Sequence, residues 1–432
     1  MDVDEPIPEP GESIRPELDG SIPEPDESIS EPDESIPEPD ESISEPDESI
    51  PEPDESIPSE LDELIPEFLE SPENNNRRPV DDMKRLHRLL ILGSKTPTYC
   101  IARPRLVRED ARAILNLLQE GRGVDVVNEI LRLSTHEART VKQFPTMFAL
   151  AICARNGDLL TKHRAYEVLP QVCRIPTHLF MFVGCCEEFG TNQDLSSTGW
   201  DRAHRNAMKK WYISKASDDP MKLAMDVTKY QKREGWSHRD VARLTHLNPD
   251  AANIPDGLFA IMMYIARGWN EVHQFYFPEN GIPPNRSTTT NAVLEFLKAV
   301  KTVKGLTVDD LPQVVELILR HNLVREHLPT QFLNLIEVWR ALARNMPMTA
   351  MIRNLGKMTS LDLLTTGSQE AADVCKKLQD RKLLKNARIH PFNVLVALKT
   401  YARGRGNSGS LRWNPNEEIL KALDDAFYCS FK

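Results

Sequence analysis

The sequence predicts an all-α protein, a solenoid of helical pairs behind a disordered, acidic N-terminal tail. Three observations carry that prediction. From about Val80 onward, apolar residues recur at helical spacing between proline and glycine punctuation. Strand signals are scarce, and residues 98–102 (TYCIA) are the one stretch that reads as extended. A body of roughly 350 residues suits an array in which each helix pair packs on its neighbours better than one ever-growing core. The body shows no clean sequence repeat, so this architecture rests on pattern and size.

The first segment, residues 1–76, is not helical in pattern. Residues 21–63 repeat every seven: SIPEPDE, SISEPDE, SIPEPDE, SISEPDE, SIPEPDE and SIPSELDE, the last with one residue inserted. A coiled coil needs two apolar positions per heptad, whereas each unit offers one isoleucine and a proline that removes a backbone donor. Low hydrophobicity and high charge leave too little surface to bury, so disorder is expected. Ser30 and Ser44, each followed by EPDE, resemble acidophilic kinase sites; a purely solvating tail is the simpler reading.

The second segment, residues 80–432, reads as helices. In residues 145–157 (PTMFALAICARNG) a proline opens an apolar run that Asn156 and Gly157 close. Ser237 with Asp240 has the spacing of a capping box, which places His238 and Arg239 in a first helical turn, where amide groups and the helix dipole favour a phosphate. Thr307 with Asp310 repeats that spacing ahead of Val314, Val315, Ile318 and Leu319. Residues 347–356 again open on proline, with Gly356 expected as a C-cap. The last helix, from Asn416 to about Phe427, lines up Ile419, Leu420, Leu423 and Phe427.

Charge divides the chain at the same place. Of 65 acidic and 53 basic residues, 28 acidic and one basic, Arg15, precede Arg77; the first 76 residues therefore carry a net −27 and the remainder +15. A basic body points to a polyanionic partner, and the acidic tail to an intramolecular competitor for it. The acidic, proline-rich N-terminus is unlike a secretory signal, and no apolar run approaches the ~20 residues of a membrane span. A soluble cytoplasmic protein is expected, with a nuclear fraction left open because no compact basic import signal stands out.

Seven cysteines, with no CxxC pair, read as reduced and mostly buried thiols. No HExxH, P-loop or GxSxG motif is present, and no two histidines share a helical face at ligand spacing. The DLSST string at 194–198 fits a DxSx[ST] metal pattern but lacks the strand such a site needs before it. Neither enzyme activity, nor a metal, nor a cofactor is expected.

Basic residues carry more information. Arg202, Arg205 and Lys209 fall on one face of a helix expected to end at Trp211 and Tyr212. Lys222, Lys229, Lys232, Arg233, Trp236, His238, Arg239, Arg243 and His246 follow as cations with aromatics interleaved. Lysine and arginine neutralise phosphates while aromatic rings stack on unpaired bases, the combination that single-stranded RNA recognition uses. Against this stand the commoner roles: a charge run as a solvated face, and Trp211 and Tyr212 as core.

Nine strings resemble the Ro ribonucleoprotein family and its TROVE module: RLHR (85–88), EGRG (120–123), FALAIC (148–153), CRIPTHLF (173–180), GWSHRD (235–240), LVREHLPT (323–330), RNLGKMT (353–359), ARIHPFNVLVAL (387–398) and EEILKALDDAFY (417–428). The resemblance implies a HEAT-like helical-repeat array, ring-like or an open ring, that handles small noncoding RNA: Y-like RNAs on a basic outer surface and misfolded RNAs through single-stranded 3′ ends. It assigns an RNA-contacting role to His238 in its GWSH motif and carries over neighbouring cations, with Arg325, Arg353, Lys357, Arg388 and His390 from the later strings. Two departures stand out. The family usually continues into a von Willebrand factor A-like domain that joins the ends of the ring, and this chain stops where that domain would begin. The heptapeptide tail has no counterpart in the family pattern. A helical-repeat protein scaffold without RNA binding is the alternative reading, to be separated from the first by the salt dependence of binding.

Overall fold

The computed structural model describes residues 81–93, 111–136, 140, 142–191, 200–246, 254–281, 283–406 and 410–431, all within the unit Asp47–Lys432. The expected tail, the extended stretch at 98–102 and the DLSST string lie outside these residues.

Helices α1 (Asp82–Leu92), α2 (Arg112–Gln119) and α3 (Gly123–Leu131) lead into a π-helical turn, Arg132–His136. α4 (Phe144–Asn156) has Pro145 in its first turn, where an amide donor would lack a partner anyway. From Pro145 to Ala154 every residue of α4 is buried, so it is a central helix, enclosed by α2, α3, α5 (Leu159–Val172) and α6 (Pro176–Thr191). Gly157 ends it with extended backbone, and the reason for glycine is space: a Cβ there would lie 2.5 Å from the Cys153 carbonyl oxygen.

α7 (Arg202–Asp218) begins at Asp201, whose carboxylate accepts from the His204 N–H at 2.8 Å. It does not end at Trp211 and Tyr212. Both are buried mid-helix, and α7 continues until Asp219 caps α8 (Pro220–Lys229), with Pro220 in the first turn of the new helix. A two-residue antiparallel hairpin follows, β1 (Lys232–Arg233) and β2 (Trp236–Ser237), with Lys232 opposite Ser237 and Arg233 opposite Trp236. Glu234 and Gly235, at φ 51° and 79°, form its two-residue turn.

The remaining helices are α9 (His238–Thr245), α10 (Leu258–Arg267), α11 (Trp269–Tyr276), α12 (Thr288–Lys304), α13 (Leu311–His321), α14 (Ile336–Asn345), α15 (Met348–Ser360), α16 (Gln369–Leu378), α17 (Arg381–Asn386), α18 (Pro391–Ala402) and α19 (Glu417–Cys429). The capping box before α13 is present, with the Asp310 carboxylate accepting from the Thr307 N–H at 2.9 Å and its hydroxyl at 3.0 Å. Gly356 is not a C-cap: α15 runs four residues beyond it, and the Trp413 ring occupies the space a side chain would need, 2.7 Å from an added Cβ. α19 starts at its Asn416 cap and buries Ile419, Ala422, Leu423 and Ala426.

Packing follows chain order. α5 packs on α7, α7 on α8 and α9, α8 on α12, α12 on α13, α13 on α14, α14 on α15, α15 on α18 and α18 on α19. Each helix thus buries its apolar stripe against partners close in sequence, as a helical-repeat array does. One apolar cluster runs through the array from Leu86 to Ala426. Cys153, Cys173, Cys185 and Cys186 are buried in it as thiols, and burial pushes the Cys153 thiol up to about 12. Among the described residues no helix is long and apolar enough to cross a membrane.

Candidate nucleic-acid interface

α6, α7, α9 and the hairpin meet at one place. Beneath their surface lies a set of buried aromatic rings and histidines. His204, on α7, sits 4.7 Å edge-on from Trp200 and 6.0 Å in a stack with Phe182, and its Nδ1 is 3.2 Å from the Tyr166 hydroxyl. His238, the first residue of α9, is 4% exposed, with its ring 4.8 Å from Phe180 and its Nδ1 2.8 Å from the Tyr212 hydroxyl. Burial pushes both histidines down to about 3, so each is neutral at pH 7. The Tyr230 backbone beside His238 pulls it back only in part, and no well-formed hydrogen bond closes at Nε2.

The resemblance implies an RNA-contacting role for His238, and the ring stands buried and neutral at the start of α9. Its ring does not present a cation to solvent; it anchors the start of α9 on the core formed by Phe180 and Tyr212. The capping box that places it is present: the Ser237 side chain accepts from the Asp240 N–H, and the Asp240 carboxylate accepts from the Ser237 N–H at 3.0 Å and the hydroxyl at 2.5 Å. That carboxylate already occupies the positive end of the helix, which weakens the expected phosphate site there.

The exposed cations lie around this anchor. Arg239 and Arg243, four apart on α9, are exposed, as are Arg202 on α7 and Lys232 on β1; none of the four has an acidic partner among the described residues. Arg205 and Lys209 continue the α7 row, half-buried. Arg233 lies 3.8 Å from the Glu234 carboxylate. Trp236 is half-buried, its ring tilted 5.4 Å from Trp200, so one part of the indole is committed to the core. Trp211 and Tyr212 are core, as their commoner role suggested.

The later candidates do not join this cluster. Lys229 stacks 5.0 Å over Tyr230 and lies 3.9 Å from Glu326, beside the half-buried Arg325. On α15, Arg353 is exposed, whereas Lys357 donates to the Asn334 side chain at 2.9 Å. The His390 side chain caps α18, accepting from the Phe392 N–H at 3.2 Å. Arg388 donates to the Ser134 carbonyl at 3.0 Å, across 254 residues of sequence. α15 packs chiefly on α14 and α18, away from the contacts that hold α9. Sequence reasoning missed the hairpin, although Glu-Gly between KR and WS has the form of a two-residue turn, and it missed Arg174, which shares the Ser134 carbonyl with Arg388.

A family model of the TROVE domain matches residues 70–400. The chain belongs to the TROVE-domain family. This TROVE protein is similar to RNA-binding protein RO60 of Caenorhabditis elegans, 36% identical over 405 residues, covering 82% of this chain and 61% of that relative. It is also similar to RNA-binding protein RO60 of Deinococcus radiodurans, 28% identical over 357 residues, covering 82% of this chain and 60% of that relative. The crystal structure of the Deinococcus radiodurans RO (RSR) protein superposes with a TM-score of 0.61 at 26% identity, covering 81% of this chain and 64% of that one. The TROVE chain thus spans about three fifths of the length of the curated relatives it matches.

Proposed function

We propose that this TROVE protein binds small noncoding RNA, without catalysis, as part of a ribonucleoprotein in RNA quality control. The observation that carries the reading is the group of exposed cations, Arg202, Lys232, Arg239 and Arg243, with no acidic partner among the described residues, on elements anchored by an aromatic core. Guanidinium forks bind phosphate oxygens bidentately, and each phosphate neutralised releases counterions, so such a surface holds RNA by its backbone. The half-buried Trp236 ring offers the uncovered part of its face for an unpaired base to stack on. His204 and His238 contribute indirectly, by fixing α7 and α9 as neutral packing groups. Two relatives named as RNA-binding proteins support RNA over other polyanions.

Y-like hairpin RNAs and misfolded RNAs with single-stranded 3′ ends are the proposed ligands. The test is equilibrium binding of two labelled RNAs of equal length, a stem with a single-stranded 3′ tail and a blunt stem. The tailed RNA is expected to bind about tenfold or more tightly, because an unpaired strand adds base stacking to phosphate contacts. Equal affinity for both would reject base-level capture, and no binding of either would leave the scaffold reading.

A further inference from the structure

The π-helical turn Arg132–His136 and the turn between α17 and α18 come from opposite ends of the described array, yet they share one atom. The Ser134 carbonyl oxygen accepts from Arg174 Nη1 at 2.8 Å and from Arg388 Nη1 at 3.0 Å. Arg174 Nη2 also donates to the Gln143 side chain at 3.2 Å. Among the described residues neither arginine has an acidic partner, and Arg388 makes no other side-chain hydrogen bond. Two positive charges therefore converge on a neutral oxygen. Arg174 registers the strain: burial first and Arg388 second bring its guanidinium down to about 10.

A guanidinium carries five donors and no acceptor, so this pair has donors to spare and, among the described residues, no carboxylate beside it. Because they share an acceptor, the two Nη1 atoms lie within about 6 Å of each other, a gap one phosphate spans with charge-assisted bonds of roughly 2.8 Å. Arg388 is exposed and Arg174 half-buried, so a ligand reaches the first directly and the second at its edge. Single π-helical turns that continue an α-helix, as this one continues α3, are frequent at functional sites.

We propose that Arg174 and Arg388 form a phosphate-binding seam, and that a bound phosphate group holds the 387–390 turn against the 132–136 turn. The ligand is a phosphodiester of RNA if the function proposed above holds, on which this part rests, or a free phosphate otherwise. Binding removes the repulsion between the guanidiniums, so the ligand stabilises the joined arrangement over the parted one.

The experiment is hydrogen–deuterium exchange on the full chain, read at residues 132–136 and 385–390, alone, with millimolar inorganic phosphate, and with a short single-stranded RNA. Binding of the RNA is measured in parallel across salt. Arg388→Gln removes an exposed charge, and Arg174→Lys keeps charge while losing the fork, so neither depends on an unfolded variant for its answer. The expected result is slower exchange of both segments with RNA, lost in Arg388→Gln. That variant is also expected to bind RNA about threefold to tenfold more weakly, with the slope of log affinity on log salt smaller by about one. Protection by inorganic phosphate, lost in Arg388→Gln, also supports the seam, and without RNA binding it upholds the seam while rejecting the RNA reading. RNA binding with both segments unprotected and the slope unchanged overturns the seam alone. If RNA does not bind and phosphate protects neither segment, both fail.

Discussion

His178, His204, His238 and His327 are all buried, and burial brings each down to about 3 from an ordinary value of 6.5. Between those values the unfolded chain binds protons that the folded chain does not, so the stability these groups contribute is present above pH 6.5 and is lost as pH falls. Asp226 works the other way. Burial raises its carboxyl to about 6, so the folded state takes up that proton first and gains stability as pH falls through 6. Four histidines outweigh one carboxyl, so around pH 5 unfolding takes up protons from these groups and the stability they contribute falls as the pH is lowered. The thermal midpoint, measured by circular dichroism, is expected to fall steeply between pH 6.5 and 5; a flat profile would contradict the burial of these rings. The sequence placed His238 correctly in the first turn of α9, through the local spacing of Ser237 and Asp240. Its burial depends on Phe180 and Tyr212, which come from α6 and α7, and no local pattern carries that information.

At the scale of elements, caps and prolines were legible because they act within one turn of the chain. Pro145, the Thr307 and Ser237 boxes, and Asn416 all stand where their spacing predicts. Gly356 misled because a glycine near a helix end serves either of two needs, left-handed backbone or close approach, and only the partner tells which. Here the partner is Trp413, held in place by its indole N–H donating to the Tyr401 carbonyl at 2.9 Å. Gly356→Ala is therefore expected to cost about 1–3 kcal/mol by overpacking, instead of gaining from better helix propensity. Urea titration of the two proteins distinguishes these outcomes, since the midpoint moves down in one case and up in the other. The extension of α7 past Tyr212 has a similar cause: nothing between Tyr212 and Asp219 stops a helix, and the stop is the proline that opens α8.

For the whole molecule, the sequence gives a division of charge that no single element shows: −27 over residues 1–76 against +15 over the remainder. If the acidic tail competes with RNA for the same cations, deletion of residues 1–76 raises RNA affinity at low salt, with the gain shrinking as salt screens both partners. Filter binding of the deleted and full chains at two salt concentrations checks this, and equal affinities at the lower one reject the competition. The helical class and sequential packing were readable from periodicity and length, because each helix buries its stripe against near neighbours. The contact of Arg388 with Ser134 was not, because nothing in either turn refers to the other.

The most direct measurement is the salt dependence of RNA affinity for the full chain beside Arg239→Ala/Arg243→Ala and His238→Ala. If Arg239 and Arg243 each contact a phosphate, as proposed, the double variant loses about two from the slope of log affinity on log salt. His238→Ala is expected to keep the slope and lose thermal stability, since it removes a buried ring and leaves the Tyr212 hydroxyl without its partner. An unchanged slope in the double variant, with a reduced slope in a fully folded His238→Ala protein, would contradict the account and put the RNA contact on the histidine itself.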